Sequence, residues 1–182
     1  MQHVPSLVTG PAAAPLPALH AMLAGIALAV RAASADRPRA IAEAIGAHVG
    51  DPALLAGLDC PCSADRYTRH LLHADPDGGY AVAALVWRPG QMSPVHAHRT
   101  WCAFGVHRGV LTESFYDFGA DDALPRPSGA ALRRPGEVGH GPPDPRVIHR
   151  LANLSCREAV SIHVYGVRYD RFGSAVNEVY AD

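Results

Sequence analysis

The 182-residue sequence predicts a mainly β protein, a barrel of short strands covered by N-terminal helices. Two observations carry that reading. From about residue 67 onward, short runs rich in Val, Ile, Tyr and Phe recur between Gly and Pro breaks. Before residue 59, by contrast, apolar residues recur at helical spacing.

Residues 1–15 are rich in Pro and Ala and are expected to be poorly ordered. Two or three short helices are expected between residues 16 and 58, with Asp36-Arg37-Pro38 and Asp51-Pro52 as starts. The apolar run Leu16–Val30 holds His20 and Gly25, lacks a positive segment before it, and falls short of the ~20 residues of a membrane helix. Strands are expected at Tyr80–Trp87, Cys102–Val106, Val110–Phe118, Val147–Leu154, Ala159–Tyr165 and Ala175–Tyr180. The Pro-, Gly- and Asp-rich stretch Gly119–Gly141 reads mostly as connection. A helical segment over 1–58 packed on a barrel over 59–182 gives one structural domain overall.

Sixteen basic residues, all Arg, face seventeen acidic ones, so no global field recruits nucleic acid or anionic lipid. Four cysteines at 60, 62, 102 and 156 form neither an obvious disulfide framework nor a zinc pattern; reduced thiols fit a cytoplasmic protein. Eleven histidines are unusually many, and imidazole suits borderline metals. Trp87 and Trp101 read as packing residues.

The strongest chemical signal is His96-Ala97-His98. On a strand, side chains alternate with period two, so both imidazoles reach one face and can share a metal ion. By itself the pair reads equally well as two polar residues of no special role. Its frame decides: Gly90, His96, His98 and Gly109 match the first cupin motif, and His149-Arg-Leu-Ala-Asn153 matches the end of the second. The chain therefore resembles the cupins, which implies a double-stranded β-helix barrel. The Pro-x-Gly of the second motif is missing, with Gly136, Pro142 and Pro143 a loose substitute. The motif's glutamate is missing too: Cys102 stands in its place and Glu113 lies too far along. His96, His98 and His149 remain as three neutral ligands, a set suited to Fe(II) with open positions.

Three further segments resemble the cysteine dioxygenase (thiol dioxygenase) family over roughly residues 60–166. Ser161-Ile-His163-Val-Tyr165 places Ser, His and Tyr on one strand face. Taken alone, that face suits solvent; by resemblance it is the family's relay, with the Tyr165 hydroxyl near iron oriented by His163, and His163 by Ser161. Tyr67-Thr68-Arg69 resembles the stretch whose arginine binds the substrate carboxylate, helped by Tyr67; a surface ion pair is the other reading of Arg69. Bacterial 3-mercaptopropionate dioxygenases have Gln there. Cys102 resembles the cysteine that forms a thioether with the relay tyrosine in animal members, here Tyr165; otherwise it is a small buried hydrophobe.

The His98–Cys102 spacing and the segment after Tyr165 depart from the animal pattern. Arg168 or Arg171 could add a carboxylate contact, as in the mercaptopropionate group. The resemblance thus implies an Fe(2+)-dependent oxidoreductase whose partners are a small thiol and dioxygen, converting L-cysteine to cysteine sulfinic acid. Alternatives are 3-mercaptopropionate or another thiol carboxylate as substrate, and a non-catalytic metal-binding cupin that binds a small acid. Sequence leaves the oligomeric state open.

Overall fold

A computed structural model describes residues 17–119 and 124–181. The Pro- and Ala-rich stretch 1–15 lies outside the described residues.

Two helices open the described chain, α1 (Pro17–Ala29) and α2 (Arg37–Gly46). Helix α2 starts as Asp36-Arg37-Pro38 suggests, because a proline in the first turn removes only an N–H that has no intrahelical partner. Leu19, Met22 and Ile26 form the buried stripe of α1, and Ile41, Ala42 and Ile45 that of α2. The segment around Asp51-Pro52, a third expected start, folds as turns.

Ten strands follow: β1 (Thr68–Ala74), β2 (Ala81–Trp87), β3 (Val95–His98), β4 (Cys102–Arg108), β5 (Leu111–Asp117), β6 (Arg126–Arg133), β7 (Val138–Gly141), β8 (Ile148–Ala152), β9 (Ala159–Tyr165) and β10 (Asn177–Ala181). A short helix α3 (Phe172–Ala175) precedes the last strand, where the sequence had suggested strand from residue 175. The strands build two antiparallel sheets, in orders β1-β2-β9-β4-β7 and β10-β3-β8-β5-β6. This is the predicted mainly β cupin barrel with N-terminal helices. In each sheet four of the five strands, β2-β9-β4-β7 and β3-β8-β5-β6, form the double-stranded β-helix; β1 and β10 extend the sheets beyond β2 and β3.

The expectation that Gly119–Gly141 is mostly connection is overturned by β6 and β7. Both are edge strands, each hydrogen-bonded to one neighbour, and β6 is exposed along most of its length. An edge strand need not bury a face, so Pro127 and Gly129 are tolerated and the apolar alternation that signals a strand is missing.

Strand alternation divides the core. Val82 and Ala84 of β2, with Ile162 and Val164 of β9, face the helices and pack with Met22, Ile26, Ile41 and Ile45. Ala81, Ala83, Leu85 and Trp87 face the barrel interior, with Cys102, Phe104, Leu151 and Tyr165. Gly105 lets α2 close on the sheet: a Cβ there would sit 2.6 Å from Ile45 Cγ2. The motif glycine Gly109 has φ +74° in the β4–β5 turn, and a Cβ would meet the Glu158 carbonyl at 2.6 Å. Only glycine satisfies both demands.

Candidate metal centre and substrate cavity

His96 and His98 lie on β3, which is buried along its whole length, and His96 stands directly across from His149 of β8. The three rings form a triangle with centroids 4.7–5.0 Å apart. Their ligand atoms lie within 4.8 Å of one another.

What each ring does with its second nitrogen fixes what it offers the centre. His96 Nδ1 is 2.9 Å from the Pro94 carbonyl and His149 Nδ1 is 2.8 Å from Glu113 Oε1. Both acceptors require the proton on Nδ1, leaving a lone pair on Nε2. His98 Nδ1 lies 3.0 Å from Cys102 Sγ. His96 Nε2 and His98 Nε2 approach to 3.2 Å, and His149 Nε2 is buried with no hydrogen-bond partner among the described residues. With the His98 proton on Nδ1, toward Cys102, three Nε2 lone pairs face one another within 4.8 Å, a donor set that fits a divalent metal of borderline softness. Burial holds the His96 imidazole down to about 3, with the neighbouring His149 adding to the effect; burial also holds His98 well below its ordinary value. Neutral rings are the form a metal needs.

Glu113 is the residue the sequence reading set aside. Counted along the motif it is far from the ligands, yet strand pairing places it beside Leu151 and within reach of His149. Its other oxygen takes an ion pair from Arg133 Nη2 at 2.6 Å. Burial alone would push this carboxyl up; the bond to His149 and the Arg133 charge overcome that and hold it below the usual range. The available signal was an acidic residue between Leu111 and Phe115 on one face of a strand.

The relay face does not meet solvent: Ser161, His163 and Tyr165 are all buried, with Ile162 and Val164 on the helix side. Direction follows from donors. Trp87 Nε1 can only donate, and it does so to Ser161 Oγ at 2.9 Å. The Ser161 hydroxyl has no acceptor but His163 Nε2 among the described residues, 2.8 Å away, so its own proton is satisfied by donating there. The single proton of a neutral His163 is left on Nδ1, which donates to the Tyr165 oxygen at 3.0 Å. Burial keeps His163 neutral, holding it down to about 3, and raises Tyr165 above its ordinary value. The phenol O–H is thereby free to donate into the cavity, and its ring lies 5.7 Å from that of His98. Trp87, read from sequence as packing, also anchors this chain.

A narrow cavity joins these groups, and Tyr67, Arg69 and Asn177 line it with the histidines and Tyr165. Arg69 Nη2 donates to Tyr67 OH at 2.9 Å, and the Tyr67 ring stacks on Trp87 at 4.2 Å. The Arg69 guanidinium meets no carboxylate among the described residues, so it is not held in an ion pair there. Cys102 stands opposite Tyr165 across β4 and β9, and burial pushes its thiol up to about 12. Arg168 is exposed and paired with Asp170 at 3.2 Å; neither it nor Arg171 lines the cavity.

The chain matches the family described as cysteine dioxygenase type I over residues 12–174. Among solved structures it is similar to an uncharacterized conserved protein with a double-stranded beta-helix domain from Klebsiella pneumoniae (16% identity, 67% of this chain and 90% of that chain, TM-score 0.46). It is also similar to the Cupin_2 domain of an XRE family transcriptional regulator from Enterobacter cloacae (13% identity, 56% and 96% covered, TM-score 0.41). A sugar phosphate isomerase of the cupin superfamily from Silicibacter pomeroyi matches as well (18% identity, 59% and 75% covered, TM-score 0.41).

Proposed function

We infer the reaction from the premise that this chain belongs to the cysteine dioxygenase type I family: it is an Fe(2+)-dependent thiol dioxygenase that converts L-cysteine and dioxygen to cysteine sulfinic acid. The balance is RSH + O2 → RSO2H. Sulfur is oxidised by four electrons, dioxygen is reduced by four, and both oxygen atoms end on sulfur. The observation that carries the reading is one cavity holding three convergent Nε2 donors, a phenol whose O–H is left free to donate, and a guanidinium in no ion pair among the described residues.

His96, His98 and His149 would hold the metal. When bound, Fe(II) supplies redox chemistry with dioxygen and a positive anchor for a thiolate. Three neutral ligands leave that positive charge uncancelled, which favours an anionic substrate. Arg69 binds the carboxylate through its planar fork, braced by Tyr67, and so fixes the thiol's orientation. Tyr165 donates its hydroxyl proton toward oxygen as negative charge develops there, in a buried site where such a bond is strong. His163 and Ser161 hold that phenol in its donating orientation. The Arg at position 69 supports cysteine over 3-mercaptopropionate.

Cys102 and Tyr165, opposite each other on paired strands, are proposed to join as a thioether. The S–H and an ortho C–H bond would break, an S–C bond would form, and two electrons and two protons would pass to dioxygen. A cytoplasmic location is part of the same reading, supported by four free cysteines. No helix among the described residues is long and apolar enough to cross a membrane.

Oxygen uptake by the iron-loaded protein with L-cysteine, 3-mercaptopropionate and other small thiols is the test. Cysteine-dependent uptake that yields sulfinate is expected. A large preference for mercaptopropionate overturns the substrate, and no uptake with any thiol leaves a metal-binding cupin without catalysis.

A further inference from the structure

Besides His149 Nε2, one polar group in the cavity has no partner among the described residues. Strand β10 adds to the second sheet beyond β3, with Asn177 directly opposite His98, so its side chain shares the face of the metal ligands. Asn177 lines the cavity, and its Oδ1 is buried without a hydrogen-bond donor among the described residues. It lies beyond residue 174, where the family match ends.

A buried carbonyl without a donor is costly, so it is retained where something else satisfies it. No donor of the described residues does so. Arg69 is turned to Tyr67, His163 to Ser161 and Tyr165, the Ser93 hydroxyl to the Pro94 carbonyl, and the free Tyr165 hydroxyl, on the other sheet, makes no bond to it. An occupant of the cavity can bring the donor. A thiolate offers none, and neither does a carboxylate. An amino group offers N–H.

We propose that Asn177 is a specificity residue whose side-chain carbonyl accepts a hydrogen bond from the amino group of a 2-aminothiol, separating amine-bearing thiols from plain thiol carboxylates. The proposal rests on the thiol dioxygenase reading above and deepens it. Arg69 and Asn177 sit on β1 and β10, the two strands added outside the central sheets, so carboxylate and amine recognition come from the barrel's additions.

The test uses the full-length iron-loaded protein without oxygen, titrated calorimetrically with L-cysteine and with 3-mercaptopropionate, followed by oxygen uptake with each. Asn177→Leu removes the acceptor at similar size; Asn177→Asp keeps an acceptor and can donate nothing. The expected result is that Leu raises the ratio of the cysteine Kd to the mercaptopropionate Kd about tenfold, the scale of one hydrogen bond to a charged group. Asp should hold or lower that ratio. A ratio that moves less than about twofold in the Leu variant, against the tenfold expected of a lost charged bond, overturns the proposal while leaving the reaction standing. So does an Asp variant that binds cysteine as poorly as Leu, because Asn177 would then act as a donor. Wild-type protein that binds and oxidises neither thiol removes the thiol reading and this proposal with it. Should the Leu variant fail to fold, the Asp variant and Asn177→Ser, which withdraws the acceptor, decide the same ratio.

Discussion

Replacing Glu113 probes the support of the metal site without touching a ligand. Its carboxylate spans His149 Nδ1 at 2.8 Å and Arg133 Nη2 at 2.6 Å, and the residue is only 5% exposed. Partners that orient a ligating histidine contribute about 10–100-fold in metal affinity. Glu113→Gln keeps a neutral acceptor for His149 and should fall at the low end, about tenfold. Glu113→Ala leaves Nδ1–H without an acceptor and should approach a hundredfold. Each variant also strips Arg133 of its anion. Breaking a fully buried pair costs about 3–5 kcal/mol, but the Arg133 side chain is 25% exposed, so about 2–3 kcal/mol of metal-free stability is the reasonable expectation. Arg133→Ala separates the two effects: stability should fall while Glu113 still holds His149, and affinity should change by less than about threefold, well short of a full support effect. The assay is Fe(II) competition against a chromophoric chelator, with urea midpoints measured on the same proteins. The reasoning is refuted if Glu113→Ala binds Fe(II) within about twofold of wild type, because a support worth tenfold or more would then be missing.

Other perturbations follow the same lines. Tyr165→Phe removes the donor aimed into the cavity and should lower kcat about 100-fold in oxygen uptake, with metal content unchanged; an unaltered kcat removes the phenol from the chemistry. Arg69→Gln exchanges the fork for an amide and should raise the KM for a thiol carboxylate about tenfold or more; a KM that does not move returns Arg69 to a packing role. Cys102 has its thiol raised to about 12, so at pH 8 only on the order of 1 in 10,000 is the reactive thiolate. Iodoacetamide on the folded protein should label exposed Cys62 and Cys156 and spare Cys102. Intact mass after turnover with iron separates the reason for that protection: a loss of two hydrogens, abolished by Cys102→Ser, marks the thioether, and an unmodified mass rules it out.

How far the sequence could be read depended on how many residues shared each signal. Strand β9 was legible to the residue, because its alternation is complete and both of its faces are used, one by the relay and one by Ile162 and Val164. The convergence of three histidines was legible because His96 and His98 share a two-residue spacing and His149-Arg-Leu-Ala-Asn153 matches the end of the second cupin motif. Edge strands β6 and β7 were not, since pairing on one side asks little of their side chains. Glu113 was lost for a different reason: linear spacing along a motif says nothing of which strand lies beside which. Its place next to His149 exists only once β5 and β8 pair. Trp87 and Asn177 are single residues, and their placement depends on partners 74 and 79 positions away in the chain, Ser161 and His98. No local pattern encodes such pairs.

Three convergent imidazoles and the phenol facing them are proposed to direct both atoms of dioxygen onto one sulfur. Turnover of L-cysteine by the iron-loaded protein under 18O2, with the sulfinate weighed by mass spectrometry, tests it most directly. The account expects two labelled oxygens in every product molecule and one dioxygen consumed per thiol lost. Sulfinate carrying a single label, or oxygen consumption that leaves disulfide and peroxide, would contradict it.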